Sequence, residues 1–152
     1  MTKTKKYDST QDTLKHVERV KHYITKICTE LMFRAADHDR SKLGPEEKPL
    51  FDEMTPKLKE LVYGTPEYKQ SLESLGSALK HHYECNSHHP EHYINGVSGM
   101  DLYDIIEMYC DWQAASERTK DGDIGKSIEI GANRFNIETQ LASILFNTCY
   151  KK

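Results

Sequence analysis

The chain has 152 residues, of which 30% are charged and 37% are hydrophobic, and its formal net charge at pH 7 is −3. This length suits one domain with one core, and no apolar segment resembles a signal peptide or a membrane span. A slightly acidic chain also lacks the basic stripe with which proteins coat nucleic acids. Its four cysteines include no CxxC pair, which disfavours disulfide and zinc-finger frameworks, so we expect a cytoplasmic protein with reduced thiols.

Two helices are predicted in the first part of the chain. After a polar start, residues 1–11, which we predict to be a flexible tail, apolar residues recur at three- and four-residue intervals and predict a helix over residues 12–36. Gly44-Pro45 then interrupts the chain. A weaker amphipathic segment follows over residues 50–62, in which Pro56 predicts a kink or a break.

Helix-capping residues predict where the next helices begin. Thr65 is a suitable N-cap and Pro66 a suitable first helical residue, which predicts a third helix through about Cys85. Residues 86–99 are typical of a loop. Ser98, with Asp101, is predicted to cap a fourth helix after this loop.

Two shorter helices complete the prediction, one around residues 124–133 and one from Asn136 as its cap to about Cys149. No alternating strand pattern, internal repeat or low-complexity tract interrupts this series. We therefore predict an all-α fold, a single-domain bundle of about six helices that occupies the whole chain. The oligomeric state stays open.

Histidines and acids lie in several of these segments, and the first two carry recognisable motifs. HVERV at residues 16–20 resembles the H-x-x-R-V motif that begins the HD-domain metal-dependent phosphohydrolases, and AADHDRSK at residues 35–42 resembles their HD segment. Imidazole and carboxylate together suit divalent transition metals such as Mn, Fe, Co, Zn or Ni. The alternative for His38-Asp39 is a polar helix end without a metal.

The resemblance implies a helical HD-like domain that binds one or two divalent metal ions. By resemblance, His16, His38 and Asp39 are metal ligands, together with an aspartate on a later helix. CDWQAA at residues 110–115 resembles the family's last motif and favours Asp111, while Asp104 lies one heptad earlier on nearly the same helix face and is the alternative.

The segment KHHYECNSHHPEHY, residues 80–93, occupies the interval in which family members with two metals carry extra histidines. His82 continues an apolar stripe on its helix and is expected to point inward, whereas His81 lies at the edge of that stripe. We predict that His82 and one of His88 and His89 are ligands. A hydrogen-bonded loop or a surface patch is the alternative. The HHPEH portion also resembles a small uncharacterised bacterial and phage branch, which implies no activity.

The resemblance implies hydrolysis of a small phosphorylated substrate, a nucleotide or related phosphoester, by metal-activated water. Asp39, Lys42 and Glu107 are the predicted catalytic residues, with Glu107 as a proton acceptor. Lys42, Arg118 and Lys126 are candidates for binding phosphate oxygens, although solvated surface charges are the favoured reading of the last two. The alternatives are a di-iron oxygenase on the same scaffold, and a non-catalytic protein that binds a nucleotide or partner around a structural metal.

Overall fold

The computed structural model describes residues 7–62, 64–118 and 122–150, and within these ranges it contains seven α-helices and no strand. The helices are α1 (Thr10–Asp37), α2 (Lys48–Lys59), α3 (Pro66–Glu73), α4 (Gly76–Cys85), α5 (Leu102–Ser116), α6 (Ile124–Phe135) and α7 (Thr139–Tyr150). Three short 3-10 turns, Arg40–Leu43, Pro90–His92 and Gly96–Gly99, lie between them. The prediction of an all-α fold is confirmed. No described helix combines the length and the apolar character that a membrane span requires.

The chain divides into two compact units, residues 1–36 and 37–152. The described part of the first unit consists almost entirely of α1, which begins two residues before the predicted start. The apolar stripe that predicts this helix is not buried: Val17, Val20 and Ile24 are exposed to 54%, 42% and 56%. Among the described residues of this unit, no second helix or strand accompanies α1 to cover the stripe. That residues 1–152 form one domain stays a prediction.

The second unit begins with two departures from the predicted helices. Helix α2 continues past Pro56 to Lys59, so the proline does not split it. The predicted third helix is instead two helices, because the chain turns at residues 74–76 and Gly76 adopts a left-handed φ of 47°. Its predicted start is confirmed, since the Thr65 hydroxyl accepts a hydrogen bond from the Tyr68 amide at 3.3 Å.

Helix α5 begins at a capping box that differs from the predicted cap. Asp101 accepts from the Asp104 amide at 3.0 Å, and the Asp104 carboxylate accepts from the Asp101 amide at 3.0 Å. Ser98, the predicted cap, belongs instead to the preceding 3-10 turn. The reciprocal pair satisfies two amides that the first helical turn leaves without partners.

The prediction that Asn136 caps the last helix is wrong. Asn136 ends α6, with a left-handed φ of 50° that asparagine tolerates better than most residues. The hydrophobic core of this unit lies where α5, α6 and α7 meet, around Met108, Ile128 and Leu145. Tyr109, Trp112 and Phe146 pack against it. Helix α5 is thereby fixed on one side by this core.

Candidate metal centre

Side chains from several segments of the second unit meet around Asp39, immediately after α1. His38 directly precedes Asp39, and helix α4, the loop that follows it and α5 contribute the other members. We name the set the central cluster; its members are His38, Asp39, His82, His88, His89, Glu107 and Asp111. Their donor atoms form overlapping groups of three or four, in each of which all the atoms lie within 4.8 Å of one another. Donor atoms this close can bind a single metal ion.

The largest group, which we name the four-donor site, consists of Asp39, His82, His88 and His89. Asp39 Oδ1 lies 3.2 Å from His82 Nε2 and 3.6 Å from His88 Nε2, and the Nε2 atoms of His82 and His89 are 2.9 Å apart. Asp39 Oδ1 and His88 Nε2 are buried and have no hydrogen-bond partner among the described residues. Buried polar atoms are rarely left in this state, because their desolvation is costly. A cation at this position would satisfy both.

Two carboxylates, of which Glu47 is fully buried, orient the imidazoles of this site. Glu47 Oε2 lies 2.9 Å from His82 Nδ1, and Glu107 Oε1 lies 3.1 Å from His88 Nδ1. A carboxylate accepts from Nδ1–H, and this selects the tautomer whose Nε2 lone pair is available to a metal. The contacts therefore prepare His82 and His88 as ligands.

A second group, the three-donor site, consists of His38, Asp39 and Asp111. His38 Nε2 lies 3.6 Å from Asp39 Oδ2 and 3.6 Å from Asp111 Oδ1, while His38 Nδ1 lies 2.9 Å from Glu107 Oε1. Asp39 thus presents Oδ1 to one site and Oδ2 to the other. The side chains of His38 and Asp111 are 29% and 21% exposed, whereas His82 and His88 are 2% exposed. The three-donor site is therefore the one closer to solvent.

The electrostatics of the cluster keep the Asp39 carboxylate ionised. Burial raises the pKa of Asp39, but the His82 imidazole beside Oδ1 and the cation of Lys42 outweigh this effect and hold that pKa well below its ordinary value. Lys42 Nζ lies 2.6 Å from Asp39 Oδ2. The neighbouring carboxylates of Asp111 and Glu107 raise the pKa of His38 to about 10. A proton therefore competes with a metal ion for His38 Nε2.

The imidazole of His89 experiences the opposite effect. Burial, together with the neighbouring imidazoles of His88 and His82, lowers the pKa of His89 well below its ordinary value. Its ring is neutral at neutral pH and has a lone pair to donate. Both His88 and His89 contribute to the four-donor site, where the sequence predicted only one of them. The residue before Pro90 is extended, as proline favours, and this backbone separates the directions of the two side chains.

Most of the predicted ligands come together here, and His16 is the exception. Its side chain is exposed, and it belongs to none of the groups that the described residues form. No described contact supports His16 as a ligand.

The two candidate aspartates of α5 have different surroundings. Asp111 contributes to the three-donor site. Asp104 belongs to no described donor group; its buried carboxylate accepts hydrogen bonds from Ser87 Oγ and Tyr93 Oη, each at 2.7 Å. These contacts are typical of a structural carboxylate.

Glu47 contacts a ligand of the four-donor site, and the sequence analysis did not predict it as a site residue. Its side chain is fully buried, and its two oxygens accept from His81 Nδ1 at 2.7 Å and from His82 Nδ1 at 2.9 Å. His81 is 37% exposed and lies outside the described donor groups. Glu47 stands in an acidic loop segment, Gly44-Pro45-Glu46-Glu47, which gives no sign of burial. Only the fold identifies this carboxylate.

The remaining predicted residues have varied surroundings. Glu107 Oε1 contacts the Nδ1 atoms of His38 and His88, which suits a positioning role, and its role as a proton acceptor stays a prediction. Lys42 contacts Asp39 and lies over the Phe51 ring at 5.2 Å. Arg118 and Lys126 are exposed, as the favoured reading predicts, and phosphate binding by them stays a prediction.

Comparison with known families decides the chain's membership. A family model described as a family of unknown function, DUF5662, matches residues 5–151, which is nearly the whole chain. The chain belongs to this family. No curated protein and no solved structure matches it. The description of this family names no activity. The central cluster is therefore the feature from which we infer the function of the chain.

Proposed function

We propose that this protein is a metal-dependent phosphohydrolase that acts on a nucleotide or related phosphoester. The observation that carries the proposal is the convergence of Asp39 Oδ1 and His88 Nε2, both buried without a hydrogen-bond partner in the described chain, on two further imidazole nitrogens. This donor set fits a divalent transition metal by its chemistry and by its arrangement. The HD-like motif around His38-Asp39 favours phosphoester hydrolysis among the reactions that such a metal supports.

The residues present fit one or two ions. The four-donor site would hold one ion through three imidazoles and one carboxylate oxygen. The three-donor site would hold a second through His38, Asp111 and the other oxygen of Asp39. Mn, Fe, Co, Zn and Ni all accept such ligands. When bound, such an ion lowers the pKa of a coordinated water and polarises a phosphoryl oxygen.

Side chains of this protein orient the donor imidazoles and place a positive charge beside Asp39. Glu47 and Glu107 hold the imidazole tautomers, and Lys42 holds a positive charge beside Asp39. A phosphoryl group that approaches from the more exposed side, near His38 and Asp111, would meet the Lys42 cation, which can stabilise charge on its oxygens. In the overall reaction a water oxygen bonds to phosphorus, the ester P–O bond breaks, and the leaving oxygen takes up a proton.

The test combines metal analysis with a substrate panel. Protein purified without chelators is analysed for bound metal and then assayed with phosphomonoesters, nucleotides and cyclic nucleotides in the presence of Mn²⁺, Co²⁺ or Mg²⁺. We expect the wild type to bind metal and to hydrolyse at least one of these substrates, and Asp39→Ala to lose both properties. Asp37→Ala is the matched control, because Asp37 is a nearby exposed aspartate that forms an ion pair with Arg40 at the surface. It should behave like the wild type.

A structural metal is the second candidate, and one observation favours it. His82 and His88 are almost completely buried, and closed sites with four protein ligands are typical of structural zinc. In that case the protein would bind metal in a one-to-one ratio, lose stability on chelation and hydrolyse no member of the panel. Protein that binds no transition metal would contradict both candidates.

A further inference from the structure

The loop between α4 and α5 supplies half of the donors in the four-donor site. His88 and His89 lie in residues 86–93, and the single 3-10 turn Pro90–His92 is the only regular structure in this segment. Two adjacent imidazoles can serve one ion only if the backbone that carries them is held in place. Misplacement of a donor by about 1 Å is enough to impair a metal or catalytic site.

Asp104 is the residue that holds both ends of this loop. Its carboxylate, which is 2% exposed, lies in the first turn of α5. Oδ1 accepts from Ser87, directly before the histidine pair, and Oδ2 accepts from Tyr93, shortly after it; both bonds are 2.7 Å long. One buried carboxylate thus brackets the segment that contains His88 and His89.

The same helix connects this bracket to the rest of the centre. Asp104, Glu107 and Asp111 are spaced by three and four residues and so lie on one face of α5. Glu107 contacts His88 and Asp111 contacts His38. Met108 lies next to this face and packs into the core with Ile128 and Leu145, so the core holds the helix that carries these carboxylates. Through these two hydrogen bonds, Asp104 therefore fixes the position of the loop relative to the helix that also carries Asp111.

We propose that Asp104 is a positioning residue of the metal centre, which fixes the His88-His89 loop through Ser87 and Tyr93 without contacting the ion. The inference rests on the proposed metal centre but not on its activity. The loop hydroxyls donate to an acceptor that is already fixed by the Asp101 amide, so the imidazoles are arranged before an ion arrives.

The experiment separates this role from the capping role of Asp104. The double variant Ser87→Ala/Tyr93→Phe removes both loop hydroxyls and leaves the α5 cap intact. Asp101→Ala is the matched control, because it removes the side-chain cap on the Asp104 amide and leaves the loop contacts in place. Each protein is freed of metal, checked for helical content and thermal midpoint, and titrated with Co²⁺ against a competing chelator at a temperature where all are folded.

We expect the double variant to bind Co²⁺ about 10- to 100-fold more weakly than the wild type, the range typical for loss of outer contacts around a metal site. Its visible Co²⁺ spectrum should also change, because the coordination geometry changes. Asp101→Ala should lower the thermal midpoint and keep wild-type affinity and spectrum. Wild-type affinity in the double variant, or equal losses in both variants, would overturn the proposal.

The hydrolysis assay keeps the two proposals apart. If the wild type binds Co²⁺ and the double variant binds it weakly, the positioning role stands even when no phosphoester is hydrolysed. If all variants bind alike while the wild type hydrolyses a substrate, the positioning role fails and the proposed function stands. A wild type that binds no Co²⁺ contradicts both.

Discussion

Glu107 offers the sharpest test of how the centre is organised, because one of its oxygens serves two histidines. Oε1 lies 2.9 Å from His38 Nδ1 and 3.1 Å from His88 Nδ1, and these histidines belong to different donor sites. Glu107→Gln keeps the shape of the side chain and an oxygen acceptor but removes the negative charge. We therefore expect the variant to fold and to bind metal more weakly at every site that is used.

The size of the effect follows from the number of hydrogen bonds. A hydrogen bond to a charged group contributes about 1.5–3 kcal/mol, and one between neutral groups about 1 kcal/mol. In Glu107→Gln, two hydrogen bonds to a charged group become hydrogen bonds between neutral groups. Each histidine thereby loses about 1 kcal/mol of stabilising free energy. Since a factor of ten in affinity corresponds to about 1.4 kcal/mol, each bound ion should be held about fivefold more weakly.

The assay is a Co²⁺ titration of metal-free protein against a competing chelator. Glu117→Gln is the matched control, because Glu117 is an exposed glutamate at the end of the same helix. If two ions bind, both steps of the titration should shift in Glu107→Gln; if one binds, that single step should shift. Glu107→Gln with wild-type affinity, in a series where Asp39→Ala has lost binding, would refute the claim that Glu107 orients the ligands.

Two further predictions concern the packing of the hydrophobic core and the stability of the protein at alkaline pH. Gly131→Ala should destabilise the protein by about 2 kcal/mol, because a Cβ atom there would overlap the Trp112 ring and force it to move; an unchanged urea midpoint would contradict this packing. Burial and then the charge of Glu91 raise the pKa of Tyr83 to about 12, so its stabilising contribution is present below pH 10 and is lost as pH rises from about 10 to 12. Tyr83→Phe should have a shallower loss of stability over that window, measured by urea unfolding.

Much of the helical organisation could be predicted from local patterns, and the errors have local causes. The spacing of apolar residues predicts α1 to within two residues, because one side of a helix repeats every three to four residues. The sequence did not predict the break between α3 and α4, because leucines at helical spacing continue through it. Gly76 was the available signal, since a left-handed residue can end one helix and begin another. Exposure of the α1 stripe could not be predicted, because the spacing of apolar residues shows which face of a helix is apolar but not whether another element covers that face.

The donor residues themselves were largely accessible to sequence reasoning. His82 lies on the buried stripe of its helix together with Leu75 and Ala78, and such a position directs an imidazole inward. His88 and His89 stand before a proline, and the extended backbone there separates their directions. Glu47 could not be found in this way, because its burial depends on contacts with residues more than thirty positions later, His81 and His82.

The choice between Asp104 and Asp111 shows what decides a role when two residues share a helix face. Asp104 lies in the first turn of α5, where backbone amides lack helical partners, and its carboxylate accepts from the Asp101 amide as well as from the loop. Asp111 lies two turns later, where the helix already pairs its own amides, so its carboxylate contacts His38 instead. Position along the helix, and not the face alone, therefore separates the carboxylate that fixes the fold from the one offered to a metal.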